Sequence, residues 1–246
     1  MEETFQLKVK RLFSDTDIKM RAVSDAANSL DFIDIANEIG EAFDFVNQVL
    51  QKQPPVPGHI FQGALMNWGA LNSLISAVEL FRFGYYKEPM TILRNTVEYV
   101  SVAYHISTDE AVYKKFIADP DKFNSPMSVS EAKKAVRFLG HMYGLLSKFT
   151  HPGSLHILPH YVHEDALYIG GYLHEKNQKL ARITLIMLKQ SISVICAVIQ
   201  IPSIWHRVES KYWKINPNGT CSRKQLAEKM VKEYEEMTAL LESNGF

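Results

Sequence analysis

Apolar residues recur every three to four positions along most of this 246-residue chain, which is the period of an amphipathic α-helix. Proline and glycine interrupt the period, most clearly in the segment 53–58, where three prolines remove backbone donors. One apolar stripe marks the first long helix and consists of Phe32, Ile35, Ala36, Ile39, Phe43, Val46 and Leu50. Helices are predicted over 24–50, 59–83, 88–107, 109–118, 128–151, 177–208 and 222–242.

Two short stretches alternate between polar and apolar residues, which is the period of a strand. One predicts a strand at 5–9, and the other predicts a small β-hairpin within 156–173. The helical segments dominate, so the predicted fold class is all-α. We expect a single-domain helical bundle over residues 1–246, with residues 1–23 as an N-terminal extension.

Two predicted helices carry recognisable local signals. Ser128 and Glu131 have the spacing of a capping box, in which each side chain bonds to the backbone N–H of the other residue, and they are expected to begin the helix 128–151. Pro202 is expected to bend the helix 177–208, because proline removes a helical hydrogen bond.

Composition excludes several classes of protein. The hydrophobic share is 46% and the charged share 22%, as in an ordinary globular domain. The 27 Lys and Arg residues balance 27 Asp and Glu residues, so the whole chain has no general attraction to nucleic acid or anionic membrane. Two cysteines are too few for a CxxC metal or redox motif, and the first residues lack the pattern of a signal peptide. We therefore expect a cytoplasmic protein.

The most apolar stretch, 183–205, does not change that expectation. Lys189 interrupts it and leaves a charge-free part of 15 residues, 191–205, which is short for a bilayer span. We therefore predict that this stretch is a buried core helix and that the protein does not bind a membrane.

Polar residues form one narrow line on the otherwise apolar helix 88–107. At about 100° per residue, Arg94, Glu98, Ser101 and His105 fall within about 40° of each other. Arg94 and Glu98 can pair at i, i+4, and a charge pair removed from water needs further polar partners. Something polar should therefore face this line.

The helix 128–151 offers the matching surface. Its polar side carries Arg137, Gly140, Gly144, Ser147 and His151, and its two glycines would let a backbone or a ligand approach closely. Two interpretations follow. In one, Arg94 and Glu98 form a structural buried pair bonded to Ser147 or His151; in the other, they are the floor of a pocket in which Arg94 holds an anion and His151 carries a proton.

Two sequence stretches carry a family resemblance that covers residues 93–152. The first is an Arg-x-x-x-Glu helix, Arg94 to Glu98, and the second is a Tyr-x-x-x-Ser-x-x-x-His-Pro helix end, from Tyr143 to Pro152. This pair resembles a group of uncharacterised microbial helical proteins, and that group is similar to the HEPN superfamily of nucleotide-binding helical bundles, many of which act in toxin, phage-defence or RNA-processing systems. The resemblance implies binding of RNA or a nucleotide. Together with the polar line it gives the candidate binding residues Glu98, Ser101, His105, Tyr143 and Ser147.

HEPN ribonucleases resemble one another in an Arg, four to six residues, His motif, which a dimer uses to cut RNA without metal. This chain departs from the motif, because Arg137 precedes His141 by three intervening residues and Ser147 stands where an arginine would precede His151. The leading hypothesis is a weakly catalytic or noncatalytic binding module. The alternatives are a metal-independent endoribonuclease with His151, Arg94 and Arg137 as catalytic residues, and a structural protein that forms a homodimer.

Two further groups of side chains consist of residue types that can bind metal ions. His156, His160 and His163 have a spacing that would suit zinc, but Pro159 breaks helical geometry between the first two. We expect metal-free loop histidines and no cofactor. An acidic stripe on the first helix, formed by Asp31, Asp34, Glu38 and Glu41, is expected to be a solvated face, as is the charged C-terminal helix.

Overall fold

A computed structural model describes residues 17–120, 123, 125–150, 161–162, 166–167, 178–204, 210–216, 221–224, 232 and 239. The described part contains seven helices: α1 (Asp17–Leu50), α2 (Gly58–Arg82), α3 (Lys87–Thr108), α4 (Glu110–Ala118), α5 (Ser125–Ala135), α6 (Arg137–Thr150) and α7 (Gln178–Ile204). The predicted all-α fold class is confirmed. The predicted strand at 5–9 lies outside the described residues.

The predicted hairpin within 156–173 is present as two short antiparallel strands, β1 (Tyr161–Val162) and β2 (Ala166–Leu167). A second antiparallel pair, β3 (Trp213–Ile215) and β4 (Cys221–Arg223), was not predicted. The prediction of a helix beginning at residue 222 is wrong, because Ser222 lies in β4 opposite Lys214. Burial of Trp213 against α7 fixes this hairpin, since its indole N–H donates to the carbonyl of Ala197 at 2.9 Å.

The predicted helix 128–151 is two helices, which meet at the fully buried Val136. The first begins at Ser125, with Pro126 in the first turn, where a missing N–H costs no helical bond. Ser128 therefore lies inside α5, and the predicted capping box is wrong. Its hydroxyl instead forms a hydrogen bond of 3.1 Å with His105 Nδ1 on α3.

α1 begins seven residues before the predicted start and is kinked at Asn28, whose backbone is not helical. Its buried face differs in part from the predicted apolar stripe. Ala36 is exposed, while three residues outside the stripe, Ala42, Phe45 and Val49, are buried. The helix is slightly rotated from the predicted orientation.

α2 and α3 form an antiparallel pair at the centre of the bundle, and their close approach depends on Gly63. A Cβ at that position would lie 1.9 Å from Ser107 Oγ and 2.9 Å from the carbonyl oxygen of Ala103. The turn between the two helices uses Gly84, whose φ is 85°. The N–H groups of Gly84 and Tyr85 bond back to the carbonyls of Phe81 and Leu80, which ends α2 in a Schellman motif.

α3 contacts α2 on one side and α4, α5, α6 and α7 on the others, so the residues of its polar line face other helices. Within the part of the chain that the structure describes, one segment, Ala181–Ile201 of α7, is long and apolar enough to cross a membrane. In this structure 78% of that window is buried inside the protein. α7 packs on α1, α2 and α3 and supplies a large share of the apolar core.

Candidate functional site

The polar line of α3 is centred on an ion pair between Arg94 and Glu98. The Arg94 Nη2 atom lies 3.0 Å from Glu98 Oε1. The two side chains are 22% and 24% exposed, so the pair lies at the border of the core. Their i, i+4 spacing places both on the side of α3 that faces α5 and α6.

Tyr143 on α6 bridges the two charges. Its hydroxyl donates to Glu98 Oε1 at 2.6 Å and accepts from Arg94 Nη2 at 3.0 Å. The guanidinium carbon of Arg94 also lies 5.2 Å from the centre of the tyrosine ring, a cation–π distance. Burial raises the pKa of Tyr143, and the hydrogen bond that its hydroxyl donates to Glu98 raises it further. The phenol is therefore protonated at neutral pH.

Two serines complete the arrangement, which we call the Arg94 cluster: Arg94, Glu98, Ser125, Tyr143 and Ser147. Arg94 Nε donates to Ser147 Oγ at 3.3 Å, while the Ser147 hydroxyl donates to its own helix at the Tyr143 carbonyl, 2.7 Å away. Ser125, at the start of α5, donates to Glu98 Oε2 at 3.5 Å. The cluster thus joins α3, α5 and α6 through hydrogen bonds between side chains.

Ser101 and His105 lie on the same line of α3 but outside the Arg94 cluster. Ser101 is completely buried and donates to the Val97 carbonyl of its own helix at 2.6 Å. His105 is 8% exposed and pairs with Ser128 of α5. Burial lowers the pKa of His105, which keeps the imidazole neutral at neutral pH. In this structure both are packing groups between helices.

Of the predicted catalytic residues the structure describes Arg94 and Arg137, and Arg137 is not part of the Arg94 cluster. Arg137 is exposed at the start of α6, ten residues or about 15 Å of helix before Ser147. His141 is also exposed. His151 lies outside the described residues, as do His156, His160 and His163. Among the residues that the structure does describe, no group of three His, Cys, Asp or Glu side chains could hold a metal ion.

The two glycines of α6 do not provide the predicted close contact with another backbone. A Cβ at Gly140 would meet the flexible side chain of Lys133 at 3.3 Å, and a Cβ at Gly144 would meet no atom within 4 Å. Gly144 is exposed. The space around Gly144 is open, and Tyr143 is the α6 residue that reaches the ion pair.

The acidic stripe of α1 is only in part the solvated face that we expected, because Asp34 and Glu41 are more than half exposed whereas Asp31 and Glu38 are less than a quarter exposed. Arg182 and Lys189 of α7 pair with Asp31, and Lys189 also pairs with Asp34 at 2.7 Å. Lys211 lies 3.1 Å from Glu38 Oε2 and also bonds to Glu41, so the stripe is an interface between α1, α7 and the segment before β3. Burial is the main cause that raises the pKa of Glu38. One of its oxygens is buried without a hydrogen-bond partner among the described residues.

The geometry defines what the Arg94 cluster can do chemically. Nε and Nη2 of Arg94 are engaged, whereas Nη1 makes no hydrogen bond to any described residue. A guanidinium held in this way presents two fixed N–H donors to an oxygen of a ligand. Tyr143 is held protonated, so its phenol does not act as a general base near neutral pH. The arrangement can therefore donate hydrogen bonds to an anionic oxygen.

Sequence reasoning identified Arg94, Glu98, Tyr143 and Ser147, and the structure brings these four side chains together. It missed Ser125, because a serine at the start of a helix normally indicates a cap and gives no sign of a partner on another helix. No family model, curated protein or solved structure matches the chain. The protein is therefore described by its own fold and site, as an all-α bundle with an ion-pair cluster between three helices.

Proposed function

We propose that this chain is a HEPN-like helical module that binds a phosphate group of RNA or of a nucleotide at the Arg94 cluster. Binding without efficient cleavage, in a microbial stress or phage-defence setting, is the function that fits the cluster and the family resemblance together. The proposal rests on how the Arg94 guanidinium is held and on which of its N–H groups remain unpaired among the described residues. Three side chains fix its guanidinium, its Nη1 donors remain unused by the described residues, and its side chain is 22% exposed.

Fixing the guanidinium favours binding in a specific way. A free arginine loses rotamer entropy when it captures a phosphate, whereas Arg94 is already ordered by Ser147, Tyr143 and Glu98. Glu98 works in the opposite direction, because its carboxylate cancels the positive charge locally. We therefore expect modest affinity that depends on the fork geometry of arginine more than on net charge.

The experiment compares Arg94→Lys with Arg182→Lys by fluorescence anisotropy of a labelled single-stranded RNA and by calorimetric titration with ATP. Lysine keeps the charge at residue 94 but loses the fork, so binding should weaken at least about tenfold. Arg182 is a matched control, since it also pairs with a carboxylate, Asp31, but lies on α7. Its conservative variant should bind as the wild type does.

Two results would reject this function. One is a wild-type chain that binds neither RNA nor ATP at millimolar concentration, and the other is a folded Arg94→Lys variant with unchanged affinity. Cleavage of the RNA in EDTA that disappears in His151→Ala would instead support the endoribonuclease alternative. Circular dichroism and melting curves establish that each variant is folded before binding is measured.

A structural role is the second candidate, and the network itself favours it. Five side chains from three helices satisfy most of one another's hydrogen-bonding groups, which would fix the register of α3 against α5 and α6 without any ligand. In that case Arg94→Lys lowers the melting temperature, and no ligand is found. The two candidates therefore differ in binding and share the effect on stability.

A further inference from the structure

α2 carries an exposed apolar surface that is separate from the Arg94 cluster. Phe61, Leu65, Trp68 and Ile75 are 40–45% exposed. Their spacing of i, i+4, i+7 and i+14 places them within an arc of about 80° over about 21 Å of helix. We call these four residues the α2 ridge. Single exposed apolar residues are common on proteins, but a row along one helix face is typical of an interaction surface.

A groove lies on each side of the α2 ridge. Between α1 and α2 it has a volume of about 300 Å³, and its lining is largely apolar, including Ala36, Ile39, Gly40 and Phe43. A Cβ at Gly40 would meet no atom within 4 Å, so the groove is open at that point. Between α2 and α3 the groove has a volume of about 450 Å³, and its lining includes Gly69 and the exposed Tyr99.

This face is also free of net charge. The sequence from 54 to 78, which includes the whole ridge, contains no Asp, Glu, Lys or Arg. The groove between α2 and α3 is lined, among the described residues, by uncharged side chains only. Glu79 and Arg82 border the other groove, and they neutralise each other in an ion pair of 2.5 Å.

From these features we infer that the α2 ridge and its two grooves are an interface for a second copy of this chain. In a two-fold dimer one surface meets its own image, so a charged patch near the axis would face the same charge. An uncharged surface avoids that repulsion and is complementary to itself. The shape is complementary too, because a ridge flanked by grooves can place its side chains in the groove of its copy.

Residue types agree with this assignment. Phe61, Trp68 and Tyr99 are aromatic, and aromatic residues are enriched at interface cores while charged residues are depleted there. Tyr99 and Asn95 lie about 100° around α3 from Glu98 and Arg94, because each follows its neighbour by one residue. The dimer would therefore leave the Arg94 cluster outside the interface. The inferred interface does not depend on the proposed binding function.

Sedimentation analysis of the full chain between 1 and 100 μM tests the interface. The wild type should approach twice the 28.1 kDa mass of one chain as concentration rises. Leu65→Asp and Ile75→Asp each place two like charges in the interface and remove two apolar contacts, so each should raise the dissociation constant by about 100-fold or more. Both residues are exposed, so the folded monomer should tolerate the change.

Ile117→Asp is the matched control, since Ile117 is 52% exposed but lies on α4 away from the α2 ridge. It should dimerise as the wild type does. A wild type that remains monomeric at 100 μM overturns the inference. So does a dimer that both ridge variants leave intact, or one that Ile117→Asp weakens as much as they do. Circular dichroism of each variant separates loss of the dimer from loss of the fold.

Discussion

Removing one oxygen atom, in Tyr143→Phe, tests whether the Arg94 cluster holds three helices together. The Tyr143 hydroxyl makes two hydrogen bonds to charged groups, one to Glu98 at 2.6 Å and one to Arg94 at 3.0 Å. The ring stays in place in the variant, so its contact with the Arg94 guanidinium is retained. The decrease in stability of this variant therefore measures the contribution of the Tyr143 hydroxyl alone.

The expected cost follows from those two bonds and their exposure. A hydrogen bond to a charged group contributes about 1.5–3 kcal/mol when its partners are buried. Arg94 and Glu98 are 22% and 24% exposed, so water can replace part of what is lost. We expect a net decrease of about 2 kcal/mol in the free energy of unfolding. For a chain of this length that corresponds to a melting temperature about 4–8 °C lower.

Urea unfolding followed by circular dichroism measures the change, with Tyr113→Phe as the control. Tyr113 packs beside His59 on the outer side of the bundle, and its hydroxyl makes no hydrogen bond to a described residue, so its variant should change stability by less than about 0.5 kcal/mol. Combining Tyr143→Phe with Glu98→Gln should give a coupling energy of about 1 kcal/mol. Equal losses for the two tyrosine variants, or zero coupling with Glu98, would refute this account of the cluster.

Three further predictions concern packing and pH. Gly63→Ala should lower the free energy of unfolding in urea by about 1–2 kcal/mol, because the new Cβ would lie 2.9 Å from the Ala103 carbonyl oxygen. Adding Ser107→Ala should restore only part of that loss. Full restoration would show that the Ser107 hydroxyl was the sole obstacle. Burial raises the pKa of Glu38, so the folded state holds the carboxyl proton more tightly than the unfolded state. The free energy of unfolding of the wild type, relative to that of Glu38→Gln, should therefore rise as pH falls from 7 towards 4.5. A difference that stays constant with pH would contradict this. Burial lowers the pKa of His105, so the contribution of its neutral imidazole to the stability of the fold is complete above pH 6.5. Below that pH the wild type should lose stability relative to His105→Asn. Parallel curves of stability against pH for the two proteins would disprove this.

Local periodicity predicted the centre of the site correctly. Four residues on one line of α3 required a polar partner, and the polar side of the helix after residue 128 supplied Ser147, whereas Tyr143 was indicated by the family resemblance. The structure places both against Arg94. This part was predictable because the i, i+4 rule depends only on the helical repeat and on the cost of burying a charge.

Contacts between distant segments were not predictable in the same way. The carboxylates of α1 have the spacing of a solvated face, and nothing local indicates that Lys189 and Lys211 pair with them from 155 to 173 residues away. The division at Val136 has the same origin, since neither proline nor glycine marks it. The apolar pattern continues through the bend, and only the packing of α5 and α6 against α3 reveals it.

The long separation between Glu38 and Lys211 has a consequence during synthesis. At a translation rate of about 5–20 residues per second, α1 waits roughly 10–35 s for Lys211 to be made. Until then the carboxylates of Glu38 and Glu41 lack their cation, whereas Asp25 of α1 already has Arg82 of α2, and α2 and α3 can pair as soon as both have left the ribosome. We expect the α2–α3 hairpin to form first and α1 to join when the last third of the chain appears. In ribosome-bound chains that end before residue 180, α2 and α3 should therefore resist proteolysis while α1 is still cleaved.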